Sequence, residues 1–92
     1  PMEVIEQVVD KFIGQLQAQL ADKKVQLTLS PEARRWLAEK GYDATYGARP
    51  LARLIGQEVE TPLADELLFG RLEKGGRVTV DVADDVVAFR YD

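Results

Sequence analysis

The run Val25-Gln26-Leu27-Thr28-Leu29 alternates apolar and polar residues, the period of a half-buried strand, and it stands alone among helical patterns. A single strand cannot bury its apolar side by itself. Its partners have to come from the far end of the chain, where Val78-Thr79-Val80-Asp81-Val82 and Val87-Ala88-Phe89-Arg90-Tyr91 alternate in the same way across the acidic tip Ala83-Asp84-Asp85. Two such runs joined this tightly read as a hairpin. The three runs predict a three-stranded sheet with helices packed on one face.

The rest of the chain supplies those helices. From Glu3 to Ala21, Val4, Val8, Phe12, Leu16 and Leu20 recur every four residues, and Ile5, Val9 and Ile13 widen the stripe. Ser30-Pro31 opens a second helix, with the serine oxygen able to accept from an early N–H and the proline placed where no N–H is needed. Ala33, Trp36 and Leu37 form its buried face, and Gly41 reads as a left-handed stop. After the loop Tyr42 to Tyr46, a third helix is expected from about Ala48, burying Leu51, Leu54, Ile55 and Val59. Thr61-Pro62 then restarts or kinks the path into Leu63 to Phe69, and Gly70 ends it. The order helix, strand, helix, helix, helix, strand, strand is an α+β fold of about four helices on a small sheet. No repeat or linker divides it, so residues 1–92 read as one domain.

Composition narrows the chemistry. There is no cysteine and no histidine, which excludes disulfides, thiol chemistry, a histidine base and the usual zinc ligand sets, and predicts no metal. Neither GxxxxGK[ST] nor GxGxxG occurs, so the chain has no phosphate-cradling loop of its own. The net charge of −4 argues against a nucleic-acid partner. No apolar run approaches the ~18 residues that span a bilayer, and the start has no signal-peptide hydrophobic region. The beginning Pro1-Met2 suggests either a chain cut from something larger or a tag remnant. Asp65-Glu66 and Asp84-Asp85 could in principle bind a cation or act as acid and base, but they read as a solvated helix face and turn. Trp36 reads as core rather than as a stacking platform.

The informative stretch is GYDATYGARPLARLIGQ, residues 41 to 57. It puts Arg49 immediately before Pro50 at the expected start of a helix, against the positive end of the helix dipole. Arg53 follows four residues later, on the expected same face, where like charges cost a few tenths of a kcal/mol. Either each arginine pairs with one of the 16 carboxylates, or together they form an anion site whose negative partner lies outside these residues.

The run AEKGYDATYGARPLARLIGQEVETPLADELLFGRLEKGGRVTVDV resembles the C-terminal small domain of the Clp branch of the AAA+ ATPases, ring-shaped protein unfoldases. It is most similar to the end of ClpA, with the disaggregase ClpB next, over about residues 4 to 82. GAR, the xPLAxxLLxG segment and the GG-V-V strand carry the likeness together. The resemblance implies a nucleotide-sensing lid and subunit-contact domain that follows a large Walker-bearing domain and packs over its ATP. By motif match Arg49 is then the sensor 2 arginine that reaches the terminal phosphate, with Gly47 and Ala48 as motif neighbours; Arg53 matches no family catalytic position. It further implies no catalytic residue and no ATPase activity in these 92 residues alone, which are expected to be monomeric. The implied partners are the chain's own large domain, the adjacent subunit of a hexameric ring and, indirectly, protein substrates and the ClpP peptidase, in a bacterial cytoplasm. Tyr46 stands where the family often has Met or Phe. The rival expectation is a self-contained protein-interaction module that uses no nucleotide; a free-standing hydrolase lacks a nucleophile and base pair.

Overall fold

The structure is a computed structural model that describes residues 2–92. Helix α1 (Met2–Ala21) is followed by β1 (Val25–Leu29), α2 (Pro31–Gly41), α3 (Leu51–Ile55), a π-helical segment (Gly56–Glu60), α4 (Thr61–Phe69) and the strands β2 (Gly76–Ala83) and β3 (Val86–Tyr91). The sheet order is β1-β2-β3. β1 runs parallel to β2, with Leu27 opposite Val78, and β2 runs antiparallel to β3, with Val80 opposite Phe89. The expected three-stranded sheet is thus present, and β2, the first strand of the hairpin, is its centre. A parallel pair needs a long crossover, and α2 to α4 provide it.

The hairpin turns on Asp84 and Asp85, both at positive φ (53° and 61°), as the two-residue turns that match strand twist require. One buried cluster joins the layers: Val9 and Ile13 of α1, Leu37 of α2, Leu51, Ile55, Val59 and Leu63 of the last helical run, and Val78 and Val80 of β2. Each such side chain contributes roughly 1.5–3 kcal/mol on leaving water. On α1 the core face is Ile5, Val9, Ile13, Leu16 and Leu20, while Val4 is exposed. The row that recurs every four residues therefore lies partly beside the core rather than in it.

Three local expectations are corrected. Gly41 is not left-handed; it is the last residue of α2, and a Cβ there would lie 2.5 Å from Leu51 Cδ1 and 3.1 Å from Leu51 Cα. It is glycine because α2 and α3 touch at that point. The third helix begins at Leu51 rather than Ala48. Of the two readings of Pro62, the restart is overturned: Glu60 and Thr61 keep helical angles, so the path runs through, and Thr61 N–H donates to Gly56 O, a bond one residue longer than the α-helical one. The wider turn gives the Pro62 ring room where an α-turn would press it on the carbonyl four residues back.

Candidate functional site

The GYDATYGARP stretch forms a closed loop built from its own backbone. Asp43 N–H donates to Gly47 O at 2.8 Å, and Gly47 N–H donates back to Asp43 O at 2.6 Å. The Asp43 carboxylate accepts from Thr45 N–H (2.7 Å) and Tyr46 N–H (3.0 Å), an Asx turn that takes the place of a backbone partner. Gly47 closes the circuit at φ 67°, a left-handed conformation that a side chain would strain. Beyond it Arg49 N–H reaches Tyr46 O, and Leu51 N–H reaches Ala48 O. Leu51 is fully buried against Gly41, so the loop is pinned to the core at its exit as well as closed at its base.

This geometry carries Arg49 to the surface. The guanidinium carbon lies 5.6 Å from the centre of the Tyr46 ring, within reach of a cation–π attraction. Tyr46, Arg49, Pro50 and Arg53 line one cleft of about 290 Å³. Arg49 precedes the helix instead of sitting in its first turn, so the two arginines do not share a helix face as expected; they share the cleft. Among the described residues no carboxylate pairs with either one, whereas Arg34, Arg35, Lys40 and Arg90 each have an acidic partner. Gly47 and Ala48 contribute backbone and no functional side chain. Asp43 was not singled out from the sequence, although an aspartate four residues before a glycine was a signal for a side-chain-closed turn.

The other candidates are structural. Trp36 is half-buried against the core, and its indole N–H donates to Asp85 Oδ1 at 2.7 Å. Lys40 lies 3.5 Å from Asp85 Oδ2 and 5.9 Å over the Trp36 ring. The indole hydrogen bond, then the ammonium charge, holds the Asp85 carboxyl below its ordinary value. Asp85 therefore ties the hairpin tip to α2, while Asp84 supplies the turn. Ser30 Oγ accepts from Ala33 N–H as the cap of α2 and donates to Asp81 Oδ1 at 2.9 Å. The Val82 N–H, the Ser30 hydroxyl and Arg90 lower the Asp81 pKa in that order. Among the described residues no three His, Cys, Asp or Glu side chains are grouped to hold a metal, and no helix is long and apolar enough to cross a membrane.

Residues 1–80 match the family of the C-terminal, D2-small domain, of ClpB protein. Over 85 residues, 92% of the chain, it is 58% identical to a ClpA homolog protein of Fuscovulum blasticum, of which it covers 11%. It is 45% identical to the chaperone protein ClpB of Lactiplantibacillus plantarum over 92% of the chain, and 50% identical to that of Corynebacterium efficiens over 89%. The chain spans about a tenth of the length of these relatives.

Proposed function

The chain belongs to the Clp family of C-terminal D2-small domains, and we propose that it is the nucleotide-sensing lid of an ATP-driven protein unfoldase. In this reading Arg49 reaches ATP held by a large domain of the same protein. The observation that carries this reading is an exposed arginine on a loop closed at its base and anchored at its exit, with no carboxylate among the described residues paired to it. The cleft fits a phosphate: guanidinium donors stand ready, and no anionic side chain among the described residues competes for them.

A charge-assisted hydrogen bond is worth ~1.5–3 kcal/mol, so one arginine touching only the terminal phosphate favours ATP over ADP by roughly ten- to a hundredfold. Throwing a domain switch from 1:99 to 99:1 needs about 5.5 kcal/mol. Arg49 therefore senses, and contacts between neighbouring subunits of a hexameric ring supply the rest of the driving force. The domain acts as a lever between nucleotide state and subunit angle. Of the two parents, a ClpA-type ATPase working with a ClpP peptidase in the bacterial cytoplasm is favoured over a ClpB-type disaggregase. The higher identity to the ClpA homolog supports that choice.

The test is Arg49→Ala in a full-length Clp chain carrying these residues. Hydrolysis should fall and the preference for ATP over ADP should shrink by roughly ten- to a hundredfold, with folding unchanged. Normal turnover and normal preference would end the assignment.

A further inference from the structure

Arg53 is the one feature of the cleft that the lid reading does not use. It is exposed, it has no carboxylate partner among the described residues, and it lines the same cleft as Arg49, together with Tyr46 and Pro50. Two cations facing one solvent-filled space repel each other, and that repulsion is left uncompensated. Among the described residues Arg71, Arg77 and four of the lysines also lack a carboxylate partner; what sets Arg49 and Arg53 apart is that the two line one cleft, whereas Arg34 is held by Asp10 at 2.8 Å and by Glu6, and Arg35 faces Glu39 one turn on. Two arginines sharing one cleft is a local feature, since the chain as a whole is acidic, with 16 carboxylates against 12 basic residues.

Resting on the assignment of Arg49 above, we propose that Arg53 is a second phosphate-binding residue, so that the cleft takes the polyphosphate of a nucleotide on two guanidinium groups. The two differ in how they are held. Arg49 sits on a closed loop over the Tyr46 ring and is pre-set for one phosphoryl group. Arg53 rises from α3, whose Leu51 and Ile55 are buried, so its backbone is fixed by the core while its side chain is free to follow the ligand. Arg53 then reads a phosphate that ATP and ADP both carry, and Arg49 reads the one that only ATP carries. Binding strength and ATP preference are thereby divided between two residues four positions apart.

The experiment measures the affinity of fluorescent ATP and ADP analogues for a full-length Clp chain carrying these residues, as wild type, Arg49→Ala, Arg53→Ala and Arg53→Lys. Urea unfolding and ring assembly are followed in parallel. Arg53→Ala is expected to weaken ATP and ADP alike by about tenfold, leaving their ratio and the fold intact, and Arg53→Lys is expected to recover part of the loss. Arg49→Ala changes the ratio instead. Unchanged affinities in Arg53→Ala beside an altered ratio in Arg49→Ala overturn the role of Arg53 and leave the lid reading standing. Unchanged affinities and ratio in both variants overturn the lid reading too. Lost ring assembly with unchanged affinity for each nucleotide assigns Arg53 to a subunit contact and also overturns the proposal.

Discussion

Two polar regions of this small molecule handle charge in opposite ways. Along the seam between α2 and the hairpin, charged and polar groups meet partners across it: Ser30 with Asp81, and Trp36 and Lys40 with Asp85, while Arg90 meets Asp81 within the hairpin. In the cleft beside α3, Arg49 and Arg53 have none among the described residues. Groups whose work is to hold the fold are satisfied within it. Most of the other basic residues also lack a carboxylate among the described residues, so what marks the cleft is that two such arginines line it together on a backbone this firmly fixed.

The comparison can be broken from either side. The largest effect is expected at the anchor both regions depend on: Leu51→Ala removes a fully buried side chain beneath Gly41 and should cost roughly 2–5 kcal/mol in urea unfolding. Ser30→Ala removes the cap of α2 and a partner of Asp81 together, and a loss of about 1–2 kcal/mol is expected by the same measurement. A smaller effect separates Asp81→Asn from the parent by pH. Because the folded carboxyl lies below its ordinary value of 3.8, its contribution is fully present above that value and disappears as pH falls through the lower folded one. The stability gap between parent and variant should therefore close on acidification; a gap that widened would refute the seam as described. Smallest of all, Arg49→Ala and Arg53→Ala should each move stability by no more than about 0.5 kcal/mol. A loss above 1 kcal/mol in either would make the cleft part of the scaffold and erase the distinction.

Much of this was legible in the residues. Period-two alternation found all three strands, and the lone strand at 25–29 forced the pairing that the sheet shows. Ser30-Pro31 announced its helix correctly because capping is a local effect. What failed was what depends on distant neighbours. Gly41 looked like a chain reversal because the approach of Leu51, ten residues on, cannot be seen from a glycine's own surroundings. The start of α3 was misplaced because Asp43, not a helix cap, organises the preceding turns. At the candidate site, the motif singled out Arg49 as an expectation, but its separation from the helix and its cleft shared with Arg53 emerge only when the loop closes.

The π-helical segment bears on how the last helical run keeps its heading. Leu51, Ile55, Val59 and Leu63 are all buried at a strict spacing of four. On a helix of 3.6 residues per turn, each step of four overshoots by about 40°, so four such residues would wind away from the core. α1 meets the same arithmetic by changing step, from Ile5, Val9 and Ile13 to Leu16 three residues on. The later run keeps its step of four and widens the turn instead, with Gly56 to Glu60 absorbing the overshoot. Those five residues thus act as a phase correction, and holding the same five in ordinary α-turns would rotate everything from Pro62 to Phe69 out of register with the core.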